Sequence, residues 1–406
     1  MKNSRKILLF LILVLISNIY EVDAYYNDSL SDFEVELISN MGQEFFLNHE
    51  LSLNKIDNFY AFLPRARSGA VIYPEYFGGM YINDIGELVI LYLSDFNKSD
   101  YFIHFTKNLE SENVEFSYNE IIRANDIITN YFLFNREIES VLNISNSWTD
   151  IINNQIVVTL FNYSINSIEM FRNEIIDKPF ILFEPYLGNA EELANNNDKY
   201  NTSHVSTIIT MNNITLTPGD RIYFARQGAG GCSVGFRAGR STQSGFVTAA
   251  HCGSHSVGTR VYNSAGVHIG TVRSRFLANI DASFVEVNSN VSISGVISGT
   301  TYLNPIAATA VVGQWVSARG ATTTGVRGGT IAQVNANANV ANIGQVTNTI
   351  IVNMFSDFGD SGGIAFSNVT GRVHNIQGIV ITRIGDTQSR VSRASEIITR
   401  TGWRLE

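Results

Sequence analysis

The sequence predicts an α/β region followed by an all-β domain of barrel or sandwich type. Three observations carry that reading. First, composition breaks near residue 217. Residues 217–406 hold 26 of the 32 glycines, fifteen arginines, no lysine and eight acidic residues, a net charge of +7 against −16 for the rest of the chain. Second, the segment after the break is a series of short β-rich runs (SGFVTAA, ASFVEV, GQWVSARG, GGTIAQV, NTIIVNM, GGIAFS, IQGIVIT) punctuated by Gly, Asn and Ser. Third, helix-like and strand-like patterns alternate before the break. With 16% charged and 11% aromatic residues over 406 positions, the composition is globular and supplies enough apolar side chains for sizeable cores.

The first 24 residues carry a separate signal. Lys2, Arg5 and Lys6 precede the apolar run Ile7 to Ile16, and Val22-Asp23-Ala24 follows with small residues where a signal peptidase cuts. This predicts a secretory signal peptide cleaved after Ala24, since the run is too short to span a bilayer. Export permits a disulfide, and Cys232 and Cys252 are the two cysteines available; a bridge between them closes a loop of about 20 residues. Two cysteines do not suggest a structural zinc site. Sequons stand at Asn27, Asn97, Asn143, Asn162, Asn201, Asn213, Asn290 and Asn368.

From residue 25 the expected elements run in order. Leu30 to Leu51 has helical spacing, and GGMYINDIGELVILYLSD reads as two strands about the turn Asn83 to Gly86. Tyr118 to Glu139 is a helix candidate, Asn154 to Phe161 a strand, Ser164 to Ile176 a helix and Pro179 to Pro185 a strand. Residues from about 190 to 216, rich in Asn, Ser and Thr, read as a linker. In the second half only Ser395 to Arg404 looks helical. The +7 half lacks the interleaving of aromatic and basic residues that a nucleic-acid binder shows; the opposite charges of the two halves favour their association instead.

Chemistry concentrates in three stretches. FSDFGDSGG holds Ser361 between an aspartate and two glycines. A serine hydroxyl needs a base, an orienting carboxylate and N–H donors aimed at the oxyanion before it attacks a carbonyl. The glycines permit the tight turn that presents the Gly359 and Ser361 amides. GFVTAAHCG offers His251 as the base, and NIDASFVEV offers Asp281 at a strand start. His255, His268 and His374 read as locally hydrogen-bonded histidines.

TAAHC, the D-A-x-x-V strand start and GDSGG, in the order His, Asp, Ser, resemble a chymotrypsin-fold serine peptidase. GGCSVGFRAG followed by GFVTAAHCG is similar to the bacterial alpha-lytic protease and streptogrisin type, and FGGMYINDIGELVI and SWTDIINNQIVVTL resemble that family's pro-region. The resemblance implies two perpendicular six-stranded β-barrels with the triad between them. It implies His251 as general base and acid, Asp281 as its orienter, Ser361 as nucleophile, Gly359 and Ser361 as oxyanion donors, and a Cys232–Cys252 bridge. The implied organisation is a signal peptide (1–24), a folding and inhibitory pro-region (25–216) and a peptidase domain (217–406). Asp360, behind the nucleophile turn, is expected to pair with Arg319 of VSARGATTTGVRGGTI.

Two departures accompany the match. Relatives carry further bridges, whereas Ser317 and Gly328 occupy one pair of matching places here and Phe355 stands near an end of another. The strand that pairs with substrate is GIVITRIGD, so Ile381, Thr382 and Arg383 should line the specificity pocket together with Phe355, Ser356, Asp357 and Phe358. Arg383 stands where the family often has glycine; it narrows the pocket, pairs with Asp357 or meets an acidic substrate side chain. The expectation is a secreted serine endopeptidase with no metal or organic cofactor, acting on proteins or peptides, monomeric when mature, with neither membrane nor nucleic acid as partner. The rival is a catalytically weak homologue that binds proteins through the same cleft.

Overall fold

The structure, a computed structural model, describes residues 30–67, 71–94, 109–134, 144–187, 213–225, 231–252, 256–297, 301–323, 325–341, 343–370 and 373–406. The expected signal peptide, most of the linker, His255 and the sequons at Asn27, Asn97, Asn143 and Asn201 lie outside them. Among the described residues no helix is long and apolar enough to cross a membrane.

The single helix expected over Leu30 to Leu51 is two, Asp32–Met41 and Gln43–Phe62. Gly42, at φ 88°, breaks them apart, a conformation that costs glycine little. Ser31 starts the first helix through a capping box with Glu34. Strands Phe77–Ile82 and Leu88–Leu93 pair antiparallel. Their turn is closed by the Asn83 side chain, whose Oδ1 accepts from the amides of Ile85 and Glu87. After Glu110–Val114 comes the helix Tyr118–Phe134, then the strands Ile144–Asp150 and Gln155–Leu160, the helix Ile165–Glu174 and the strand Ile181–Pro185.

Among the described residues the second half is all-β apart from the helix Ala394–Thr401. One eight-stranded sheet includes Gln243–Thr248 and Ala282–Val287 as neighbours. In the ten-stranded sheet six strands close on themselves. Trp315–Arg319, Ile364–Thr370, Val373–Ile384, Gln388–Arg393, Gly344–Val352 and Arg327–Val340 pair in that order, and the last pairs back onto the first. The closing pairing takes up only residues 327–330 of the last strand and leaves the rest of it open on that side.

The first half does not stand apart from this barrel. Ile144–Asp150 adds antiparallel to Arg327–Val340, so three strands of the first half extend the barrel sheet. Fully buried Asn337 ties the seam, donating to Ser147 Oγ (3.0 Å) and Thr129 Oγ1 (3.1 Å). Phe33, Leu37, Phe45 and Phe46 of the helix pair share one core with Trp315, Phe366 and Ile376.

Two buried histidines sit at this junction. His49 Nε2 accepts from the Trp315 amide at 3.0 Å. His374, expected to be locally hydrogen-bonded, instead lies 4.8 Å from the Phe33 ring with both ring nitrogens buried and, among the described residues, without a hydrogen-bond partner. Burial pulls His49 down to about 3 and His374 to about 4. A depressed histidine contributes stability that is fully present above its unfolded value of 6.5 and is lost as pH falls toward the folded value. Glu36, on the first helix, works the other way. Burial pushes it up to about 7, so its contribution is full below 4.5 and is lost as pH rises through 7. Each histidine changes the unfolding free energy by up to about 1.4 kcal/mol per pH unit below 6.5. His49→Gln keeps an acceptor for Trp315 but does not titrate. It is therefore expected to flatten the acid limb of urea-unfolding stability between pH 6.5 and 5; an unchanged slope would place no titration at His49.

Candidate active site

The strand Gln243–Thr248 leads into Ala249-Ala250-His251, and its neighbour Ala282–Val287 begins just after Asp281. The register pairs Thr248 with Ser283, which sets His251 and Asp281 at the same end of adjacent strands. Asp281 takes φ 43°, a left-handed conformation that Asp tolerates better than most residues. Its Oδ1 accepts from the His251 amide at 2.8 Å, and its Oδ2 lies 2.5 Å from His251 Nδ1. Both residues are buried. With Nδ1–H donating to that carboxylate, Nε2 is left as the acceptor, and it lies 2.9 Å from Ser361 Oγ.

The Ser361 turn is held from two sides. Gly362 N donates to Val380 O and Val380 N to Gly363 O, which fastens the turn to the strand Val373–Ile384. On the other side, Ser233 N donates to Ser361 O and Ser233 Oγ to Gly359 O. The disulfide between Cys232 and Cys252 joins the residue beside Ser233 to the residue beside His251. One bridge thus couples the position of His251 to that of the Ser361 turn. Gly359 has φ 94°, and the amides of Gly359 and Ser361 donate to no acceptor among the described residues.

Asp360 is fully buried, and its partner differs from the expected one. Arg327, not Arg319, supplies the charge, with Nη2 2.9 Å from Asp360 Oδ2. The amides of Thr322, Thr323 and Asp357 and the hydroxyl of Thr323 also donate to this carboxylate. Arg319 instead donates to Pro218 O and Ile297 O, with Asp220 at 3.7 Å. Strand alternation explains the difference. Ala318 pairs with Arg327 across the two strands, so those two share a face and Arg319 takes the opposite one.

In the expected pocket, Ser356, Ile381 and Thr382 are buried. The Arg383 guanidinium lies over the rings of Phe355 (5.7 Å) and Phe358 (5.2 Å), with Nη1 3.6 Å from Asp357 Oδ1. The approach to Asp357 is an ion pair without a hydrogen bond.

Comparison with known proteins places these features in a lineage. Residues 27–127 match a Pro-like N-terminal domain and residues 119–185 a Pro-like C-terminal domain. Glutamyl endopeptidase 2 of Streptomyces griseus is 32% identical over 143 residues, 34% of this chain and 74% of that protein. The chain belongs to the streptogrisin-type family of chymotrypsin-fold peptidases. Streptogrisin-C of the same organism is 33% identical over 150 residues, 36% of this chain and 31% of that protein. The chain matches less than half the length of the two streptogrisins it resembles. Thermobifida fusca Protease A, a solved structure, is 29% identical and covers 47% of this chain and 98% of its own, with a TM-score of 0.40.

Within this streptogrisin-type chain the departure at Ser317 and Gly328 has a structural answer. They are direct cross-strand partners, and a Cβ on Gly328 would come within 2.5 Å of the Trp315 indole. Trp315 Nε1 donates to Ser317 Oγ at 3.1 Å. A packed indole and one hydrogen bond occupy the place of a covalent link. Sequence reasoning also missed Ser233 and Thr322-Thr323. Ser233 was findable beside Cys232, but nothing local marks the threonines as partners of a carboxylate 38 and 37 residues on.

Proposed function

We propose that this chain is the precursor of a secreted serine endopeptidase. The observation that carries the reading is the relay Asp281–His251–Ser361, with gaps of 2.5 and 2.9 Å. Ser361 Oγ attacks the scissile carbonyl while His251 Nε2 takes its proton, and Asp281 stabilises the imidazolium. The Gly359 and Ser361 amides receive the oxyanion. His251 returns the proton to the leaving amine, and water then hydrolyses the acyl-enzyme by the same steps in reverse order. The chemistry calls on no metal or organic cofactor. Residues 25–216 serve as the folding and inhibitory pro-region, and its removal releases the peptidase domain 217–406. The N-terminal apolar run supports export.

The rival reading, a binding homologue, draws on the altered pocket strand, where Arg383 lies over the Phe355 and Phe358 rings. Mass spectrometry of the secreted product after a serine-directed phosphonate probe separates the two. A single adduct on Ser361, in a chain starting near residue 217, is the expected result. A folded, processed chain without adduct would overturn the enzyme reading in favour of binding.

A further inference from the structure

Arg383 is a cation with unused donor capacity beside the nucleophile. It lies two residues beyond Ile381, whose carbonyl is 3.4 Å from Ser361 Oγ. Its guanidinium bridges the two walls of the pocket, the strand Val373–Ile384 and the segment Phe355 to Phe358. Its side chain is 21% exposed, and its Nε is buried without a hydrogen-bond partner. The single charged contact, Asp357 at 3.6 Å, lies beyond hydrogen-bond distance. Asp357 Oδ1 is already engaged by the Phe358 amide at 2.8 Å, and that side chain is 40% exposed. The other acid near the turn, Asp360, is committed to Arg327.

We propose that Arg383 is the specificity-determining residue of this site and selects substrates with a carboxylate side chain, Glu or Asp, on the residue before the scissile bond. This deepens the endopeptidase reading and rests on it. A planar guanidinium offers paired N–H groups that match a carboxylate, and two aromatic faces hold that plane while limiting water around it. A substrate carboxylate gains two charge-assisted hydrogen bonds where Asp357 makes none. Asp357 has solvent on its open side and loses little when the guanidinium turns to the substrate. A basic side chain would meet the guanidinium as a like charge. A large apolar one would leave it desolvated and unpaired.

The test compares kcat/KM of the processed protein on matched peptides that differ only in Glu, Gln or Leu before the scissile bond. Glu over Gln isolates the charge, because the two are nearly isosteric. A preference of roughly 10- to 100-fold is expected, the worth of hydrogen bonds to a charged group. Arg383→Gln should bring the ratio near one, Arg383→Lys should retain part of it, and Asp357→Asn should raise it. A wild-type Glu-to-Gln ratio near one, with Leu cleaved, would overturn the inference and leave the endopeptidase reading standing. A Glu preference unchanged in both Arg383 variants would move the determinant elsewhere. No cleavage of any peptide together with no phosphonate adduct on Ser361 would overturn both.

Discussion

Ser361→Ala is expected to lower peptide-bond hydrolysis by on the order of 10⁴- to 10⁶-fold. The hydroxyl lies 2.9 Å from His251 Nε2, and its other contact is the 3.4 Å approach to Ile381 O. Removing it deletes the attacking atom and little of the packing. The substitution should therefore leave urea-unfolding stability within about 0.5 kcal/mol of the parent. The measurement is kcat/KM on one peptide, with parent and variant brought to the same processing state. Adding His251→Ala to Ser361→Ala should cost almost nothing further, because the pair acts as a unit and the base has no proton left to take. A loss of only tenfold, or additive losses, would remove Ser361 from the nucleophile role.

The second large effect falls on the buried pair behind that turn. Arg327→Ala is expected to cost about 3–5 kcal/mol, because it strands a carboxylate in the interior without its counter-charge. Asp360 would keep its amide and hydroxyl donors, but hydrogen bonds from neutral groups do not balance a full charge at a fully buried site. Arg319→Ala, whose partners are two carbonyls and a distant, partly exposed Asp220, should cost no more than about 1 kcal/mol. Denaturant midpoints of the two variants decide the matter. Arg327→Ala/Asp360→Asn should recover part of the loss, since it removes both charges. The reverse order of costs would return the counter-charge to Arg319.

Local chemistry explains how far the sequence reached. Short β-rich runs with Gly and Asn between them marked the all-β half, and nearly every expected strand there has an observed counterpart. The Asn83 turn was legible because its side chain closes it from within. Apolar spacing continues smoothly through Gly42, so the sequence predicts one helix over Leu30 to Leu51 where the structure has two. Only the backbone angle there shows the break. The three stretches bearing His251, Asp281 and Ser361 stood out because nucleophile, base and orienter each need particular neighbours. Arg327 and Arg319 stand in the same segment, and nothing in a linear string says which face a strand-end residue takes.

By itself the sequence determined the two-part organisation and the stretches of the candidate triad, because each depends on residue type and on patterns within a dozen positions. Tertiary structure alone decided which arginine neutralises Asp360 and where the single disulfide exerts its effect. It also decided how Arg383 lies against two phenylalanine rings, and that strands of the acidic half continue the barrel sheet of the basic half. All of these follow from register and closure. One residue of strand register exchanges the faces of Arg319 and its neighbours, and closing the barrel brings together segments that local physics leaves independent.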